Sequence, residues 1–169
     1  MNKSAKIFTV SGIFFTLILG SLGHFFYEWS GNNYVVGLFF ATNESVWEHI
    51  KLALFPIFIS FLLYGLFARA HSNFFAAFFM AMLTVILFIP LAFYGYTAVA
   101  GKSIIFIDIA IFVISVILAY LVSYSLLTRR SIPWLNFISV IGIAVIIICF
   151  MTFTYNPPDW KIFIPPVEN

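Results

Sequence analysis

Long apolar runs alternate with short polar segments along the whole chain. The runs 7–23, 52–68, 72–101, 109–128 and 131–158 contain no Asp, Glu, Lys, Arg or His. About 20 apolar residues are needed for a helix to cross the hydrocarbon core of a bilayer. Since backbone groups in lipid must be satisfied within the segment, the pattern predicts five transmembrane helices at roughly 7–28, 45–69, 73–98, 104–128 and 134–155.

Two segments outside these helices have their own pattern. The segment 29–43 begins with a Ser-Gly-Asn-Asn turn signal and continues into the apolar stretch 34–41, which is expected to lie in the interface or to re-enter the membrane. The tail 156–169 contains two Pro pairs that exclude a helix, and it is expected to lie along the outer interface. The predicted fold is an all-α integral membrane protein, a five-helix bundle forming a single domain over residues 1–169.

Composition supports this interpretation. Charged residues make up 8% of the chain, against about a quarter in soluble domains, and the mean hydropathy is +1.10. So little charge cannot cover a soluble surface, so membrane lipid is the expected partner. The few basic residues are scattered along the chain, which argues against a nucleic-acid partner.

The distribution of lysine and arginine predicts the orientation. With the N-terminus inside, five basic residues lie on the cytoplasmic side (Lys3, Lys6, Arg69, Arg129 and Arg130) and three on the other (Lys51, Lys102 and Lys161). Cytoplasmic loops carry the excess of Lys and Arg. We therefore expect a multi-pass plasma-membrane protein, in a bacterial inner membrane, with a cytoplasmic N-terminus and an extracytoplasmic C-terminus.

Two of the three histidines and three of the four glutamates fall between Gly23 and Lys51. His24 and Glu28 are four residues apart at the end of the first helix, so they share a face. Glu44 and Glu48, and also Ser45 and His49, have the same spacing at the start of the second helix. Both sets are predicted at one membrane level, where a short loop makes the helices neighbours.

A further acid, Asp108, is predicted about one turn inside the outer surface on the fourth helix. An ionisable group within a span costs roughly 2.5–3.5 kcal/mol on insertion scales. His24 and Asp108 therefore require partners in the bundle, and the set predicts an outward-facing polar pocket.

Imidazoles and carboxylates are ligands for zinc, manganese or iron. The proposed ligands for one divalent ion, the sole cofactor expected, are His24, Glu28, Glu44 and His49. Glu48 or Asp108 is then the candidate general base for water activated by the metal. A metal-free alternative uses His49 as the base, oriented by Glu44 or Glu28, with Ser45 as the nucleophile.

Helix-start physics offers a simpler explanation for part of this set. Asn43 is a good N-cap residue, and Ser45-x-x-Glu48 matches a capping box. Acidic residues in a first turn also interact favourably with the helix macrodipole, which applies to Glu44 and Glu48. These three contributions leave His24, Glu28, His49 and Asp108 as the residues that most need a functional explanation.

The blocks Tyr27–Gly31 (Tyr-Glu-Trp-Ser-Gly), Asn43–Lys51 (Asn-Glu-Ser-Val-Trp-Glu-His-Ile-Lys) and Thr154–Pro158 (Thr-Tyr-Asn-Pro-Pro) carry a resemblance. The chain resembles a family of small uncharacterised bacterial multi-pass membrane proteins with a domain of unknown function. The resemblance implies a grouping and a topology, and it implies no activity.

Three functions are compatible with the sequence. The first is a metal-dependent hydrolase or transferase that acts on a lipid or lipid-linked substrate. The second is a small transporter or proton-coupled carrier that uses the same carboxylates as a relay. The third is a non-catalytic accessory or immunity-type protein, in which the cluster only stabilises the outer helix ends.

Overall fold

Every secondary-structure element in the described part of the chain is helical. The computed structural model describes residues 3–67 and 72–166, with the side chain of residue 67 excepted. The elements are α1 (Lys3–Trp29), α2 (Tyr34–Phe39), α3 (Val46–Phe67), α4 (Phe74–Ala100), α5 (Ile105–Leu127), α6 (Pro133–Tyr155) and a 3₁₀ turn at Lys161–Phe163. The predicted end of the second long helix at 69, together with Arg69, His71 and Glu168, lies outside the described residues.

Five of these helices, α1, α3, α4, α5 and α6, are long and apolar enough to cross a membrane. This confirms the prediction of an all-α protein with five membrane-spanning helices. The remaining helix, α2, occupies six residues of the segment that was expected to lie in the interface or to re-enter. Its N-cap is Asn33, whose Oδ1 accepts hydrogen bonds from the backbone amides of Val35 and Val36.

The helices pack around α3 and α4. Helix α1 packs against α3 and α5, and α4 packs against α3, α5 and α6. Fully buried aromatic rings fill the centre, among them Phe61, Phe78 and Tyr120, with the rings of Phe61 and Phe78 stacked at 4.7 Å. Large apolar side chains such as Phe106 and Ile148 are exposed on α5 and α6. Such outer faces fit a lipid environment.

Helices α1 and α3 approach closely because glycine occupies the contact positions on α1. A Cβ atom at Gly20 would clash with the carbonyl oxygen of Leu52, and one at Gly23 would lie 2.6 Å from the ring of Phe40. Small residues let transmembrane backbones approach in this way. Gly20 therefore sets the distance between α1 and α3, and Gly23 leaves room for the ring of Phe40 after α2.

Replacement of Gly20 by alanine is expected to destabilise the bundle. The added methyl group meets backbone rather than a flexible side chain, so α1 has to shift, at a cost of about 1–3 kcal/mol. Gly95→Ala is the matched control, because a Cβ atom at Gly95 meets no atom within 4 Å. Thermal unfolding in detergent measures the effect, and equal midpoints for the two variants would contradict the close α1–α3 contact.

The C-terminal tail covers one end of the bundle. Phe163 is buried, and its ring lies 4.7 Å from that of Trp47 on α3. The ammonium group of Lys161 lies 5.4 Å from the ring centre of Tyr94 on α4. The tail thus packs at the same end of α3 as the candidate site, because Trp47 lies two residues before His49.

Candidate metal centre

Three side chains that could ligate a metal converge where α1 ends and α3 begins: His24 on α1, His49 on α3 and Glu44 in the loop before α3. His24 Nε2 lies 3.7 Å from Glu44 Oε1, and His49 Nε2 lies 3.3 Å from Glu44 Oε2. One ligand atom from each of His24, Glu44 and His49 lies within 4.8 Å of the others. The sequence placed these residues at one membrane level, and the structure brings them together.

The spacing is close to that of a metal site. Two ligands at 2.0–2.1 Å from a tetrahedral ion are about 3.4 Å apart. The two histidine–glutamate distances, 3.3 and 3.7 Å, bracket this value. The widest separation between the ligand atoms, up to 4.8 Å, exceeds this value by about 1.4 Å. The three residues therefore offer two imidazole nitrogens and one carboxylate oxygen in a metal-compatible arrangement.

The imidazole of His49 is oriented by its own helix. His49 Nδ1 lies 3.0 Å from the carbonyl oxygen of Ser45, and because a carbonyl only accepts, Nδ1 carries the hydrogen. In the protonated ring, Nε2 donates a hydrogen bond to the Glu44 carboxylate, whereas in the neutral ring the Nε2 lone pair is free for a metal ion. Histidine ligands of metals are usually held by such a hydrogen bond to the second ring nitrogen.

His24 is placed by the close contact of α1 with α3. It lies one helical turn after Gly20, and His49 lies about one turn before Leu52, so the site sits directly above the close α1–α3 contact. The rings of His24 and His49 are 5.5 Å apart. The Nδ1 atom of His24 is buried and has no hydrogen-bond partner within the described part of the chain.

The loop before α3 carries Glu44 between two anchored residues. On one side, the backbone amide and hydroxyl of Thr42 donate to Glu48 Oε2 at 2.8 and 2.9 Å. On the other side, Asn43 Oδ1 accepts from the amide of Ser45 at 2.9 Å. Both anchors restrict the backbone of Glu44, so its carboxylate is held towards the two histidines.

The pKa of Glu44 lies below its ordinary value of 4.5. The largest cause is the hydrogen bond with His49, which outweighs the opposing effect of partial burial; the charges of His49 and His24 act in the same direction as that bond. Because the folded pKa is lowered, the fold stabilises the ionised carboxylate above pH 4.5. That stabilisation is lost as the pH falls through the lowered pKa.

Replacement of His49 by alanine should therefore raise the pKa of Glu44 towards 4.5, and His24→Ala should raise it less. The difference follows from the hydrogen bond that His49 alone provides. Infrared titration of the metal-free protein measures the carboxylate band, which Glu44→Gln identifies by its loss. A larger shift in His24→Ala than in His49→Ala would contradict the geometry.

Glu48, a predicted general base, is buried in an ion pair. Its Oε2 lies 2.6 Å from the ammonium nitrogen of Lys51, and the two side chains are 2% and 0% exposed. Lys51 also donates to the carbonyl oxygen of Gly37 at 2.7 Å and to the hydroxyl of Thr154 at 3.0 Å. The pair thereby joins α2, α3 and α6, and its three acceptors satisfy all three ammonium hydrogens.

Ser45, the predicted nucleophile of the metal-free alternative, caps α3. Its side chain is 1% exposed, and its Oγ accepts from the backbone amide of Glu48 at 3.3 Å. This is the serine half of a capping box. The Glu48 carboxylate does not complete the box, because it turns instead to Thr42 and Lys51.

Asp108 lies in the first turn of α5 and binds groups of the α4–α5 connection. Its Oδ2 accepts from the hydroxyl of Ser103 at 2.5 Å, and its Oδ1 accepts from the hydroxyl of Tyr96. The Tyr96 oxygen in turn accepts from the amide of Ile104 at 3.0 Å. Asp108 is not part of the cluster of His24, Glu44 and His49.

Glu28, the fourth predicted ligand, lies one helical turn beyond His24 on α1. Its side chain is exposed, and it is not among the residues whose ligand atoms converge. The structure therefore groups three of the four predicted ligands. Glu28 stands beside them as a solvent-facing carboxylate.

Several residues that shape the site carry no obvious signal in the sequence. Thr42 anchors the Glu44 loop, and Tyr96 and Ser103 hold Asp108. Their hydroxyl groups are individually common in membrane helices and loops, so only tertiary contacts identify them. For the buried ion pair, the sequence offers one indication: Glu48 and Lys51 are three residues apart, a spacing that brings side chains together on a helix.

The five long apolar helices fit a multi-pass membrane protein, and this one carries a candidate metal centre at one end of the bundle. The chain belongs to a family of unknown function, DUF6512, whose family model matches residues 1–168. This confirms the predicted membership of an uncharacterised family. No curated protein and no solved structure matches the chain.

Proposed function

We propose that this protein binds one divalent transition-metal ion, with zinc the first choice, through His24, Glu44 and His49. In this proposal the ion serves a membrane hydrolase or transferase that acts on a lipid or lipid-linked substrate. The observation that carries the proposal is the convergence of two imidazoles and one carboxylate within 4.8 Å.

The number of protein ligands favours a catalytic site over a structural one. Structural zinc sites are closed by four protein ligands, whereas catalytic sites use three, among them two histidines with one glutamate, and leave a position open. The side chains of His24, Glu44 and His49 are 34%, 58% and 38% exposed. A substrate would therefore have access to an ion held by these three residues.

A metal in such a site lowers the pKa of a coordinated water to about 7 and polarises carbonyl or phosphoryl groups. The protein must then supply a carboxylate to accept a proton. Glu48 is neutralised by Lys51 and Asp108 is engaged by Tyr96 and Ser103. Glu28, which is exposed and lies one turn from His24 on α1, is the carboxylate that we assign as general base.

The surface beside the site supports an amphiphilic substrate. Along α1, the apolar side chains of Leu22, Phe25 and Trp29 are exposed on the approach to His24. The Phe25 ring contacts the His24 ring at 5.3 Å and stacks on Trp29 at 5.6 Å. A lipid chain can lie along this face while its polar group reaches the metal ligands.

The sidedness of the site follows from the predicted orientation. A cytoplasmic N-terminus places the end of α1, and with it His24, at the extracytoplasmic face of the plasma membrane. The excess of lysine and arginine on the opposite side supports this orientation. Labelling of a single cysteine introduced at exposed Ser30 by an impermeant maleimide on intact cells tests it, with Cys149→Ser as the background.

The catalytic proposal is tested by turnover in proteoliposomes. Wild-type protein loaded with zinc is incubated with phospholipids and lipid-linked phosphates, and products are followed by mass spectrometry. We expect product that disappears on chelation and returns on adding zinc, and that falls at least about 100-fold in Glu28→Gln, within the range of general acid–base contributions. Turnover that is unaffected by chelation would contradict the proposal.

A non-catalytic accessory role is the second candidate. It is favoured by the structural partners of Glu48, Ser45 and Asp108, which all stabilise helix ends or loops. In that case Glu44→Gln lowers the amount of folded protein and no substrate is turned over, even when the ion is bound. Metal content and turnover measured on one preparation separate the two functions.

A further inference from the structure

A second feature lies at the opposite end of α1 from the metal centre. The first half of α1 and the second half of α3 enclose an open groove of about 570 Å³, lined by residues from Lys3 to Phe15 on α1 and from Ser60 to Tyr64 on α3. Twelve residues of helix extend about 18 Å, so the groove follows much of one leaflet. Both helices are among those that fit membrane spans.

The groove is apolar along its length and basic at one end. Ile7, Phe15 and Leu63 form its walls. Lys3 lines the end nearest the N-terminus. Lys6 is exposed about one turn further along α1, beside the groove and not among its lining residues. No acidic residue of the described chain lines the groove.

The serine hydroxyl groups that line the groove form hydrogen bonds within the protein. Ser60 donates to the carbonyl oxygen of Ile57 at 2.8 Å and shares a short hydrogen bond with Tyr120. The Ser11 hydroxyl donates to the carbonyl oxygen of Phe8 at 3.3 Å. Because these hydroxyl groups already have hydrogen-bond partners, a hydrocarbon chain can lie against the groove walls without burying an unsatisfied polar group.

We propose that this groove binds one anionic phospholipid, with an acyl chain between α1 and α3 and the headgroup at Lys3 and Lys6. An open groove in the hydrocarbon region has to be filled by lipid or by another helix, because unfilled space forfeits dispersion contacts. The two lysines decide between these occupants by charge complementarity. Basic pockets between transmembrane helices bind anionic headgroups in this manner.

Native mass spectrometry of delipidated protein tests the site, with phosphatidylglycerol and phosphatidylcholine of identical acyl chains as probes. Wild-type protein should bind phosphatidylglycerol more tightly. Lys3→Gln and Lys6→Gln should each weaken it about fivefold, the equivalent of about 1 kcal/mol per basic residue. Lys102→Gln removes an exposed lysine elsewhere and should leave both affinities unchanged.

Ser11→Phe tests the acyl-chain part independently of charge. The added ring occupies the groove at an exposed position, so both lipids should bind at least about tenfold more weakly, since each buried methylene contributes about 0.8 kcal/mol. Equal binding of the two lipids to wild type, unchanged binding in Ser11→Phe, or a lipid-free dimer that Ser11→Phe dissociates would overturn the proposal. None of these results depends on the metal centre.

Discussion

Replacement of His49 by alanine is expected to weaken zinc binding at least about 100-fold, beyond the 10–100-fold cost of losing an outer-shell partner. In the proposed site His49 supplies one of three ligand atoms, and its Nε2 lies closer to the Glu44 carboxylate than that of His24, 3.3 Å from Glu44 Oε2. Its removal leaves one imidazole and one carboxylate, which is too few ligands for a tight site. Competition titration with a chromophoric chelator in detergent measures the affinity.

His71→Ala and Glu28→Gln are the matched controls for this prediction. His71 is the remaining histidine of the chain and lies outside the described residues. Glu28 does not converge with the other ligands, so its replacement should leave the zinc affinity within a few-fold of wild type. A loss in Glu28→Gln as large as in His49→Ala would make Glu28 a ligand and contradict its assignment as base.

Lys51→Met is expected to destabilise the protein by about 3–5 kcal/mol, the usual cost of leaving a buried charge without its partner. The substitution strands Glu48, which is 2% exposed, and also removes the donor to the Gly37 carbonyl oxygen. Methionine matches the four-atom stem of lysine and lacks only the ammonium group, so the loss of packing is small. Equilibrium unfolding in mixed micelles measures the change.

The double variant Glu48→Gln/Lys51→Met separates the cost of an unpaired buried charge from the cost of losing the side-chain contacts. Its neutral side chains leave no stranded ion, and the glutamine oxygen can still accept from the backbone amide of Thr42. Its stability should therefore return most of the way to wild type, giving a coupling of several kcal/mol in a double-mutant cycle. Lys102→Met, an exposed control, should change stability by less than about 0.5 kcal/mol. Additive single effects would contradict the ion pair.

The ion pair between Glu48 and Lys51 also affects the position of Glu44 in the candidate metal centre. Glu48 holds Thr42, which lies two residues before Glu44 in the loop. Loosening this anchor lets Glu44 move away from the histidines. Lys51→Met should therefore lower zinc affinity even in the folded fraction, and the double variant should restore it in part.

The helical architecture could be predicted from the sequence because it depends on a local property. Each of the five long helices is built on one of the long apolar runs, and lipid leaves the backbone no alternative to internal hydrogen bonds. The site was only partly predictable. The spacing of His24, Glu44 and His49 placed them at one level, since their positions relative to two helix ends are fixed by residue number.

The spacing of residues in the sequence does not predict which side chains become partners. Glu44 and Glu48 are four residues apart and look equivalent in the sequence, yet Glu44 joins the histidines while Glu48 pairs with Lys51. The difference arises because Glu44 precedes the N-cap Ser45 and is not yet on the helix. Likewise, the sequence does not show that the hydroxyl groups of Tyr96 and Ser103 donate hydrogen bonds to Asp108.

Metal analysis of the wild-type protein, purified from membranes without added metal or chelator, tests the central claim most directly. We predict one zinc ion or similar divalent ion per chain, with two imidazoles and one carboxylate detected by X-ray absorption. The imidazole signal should fall by half in His24→Ala. A full complement of metal in the double variant His24→Ala/His49→Ala, or protein that takes up no divalent ion even when it is supplied, would contradict the account.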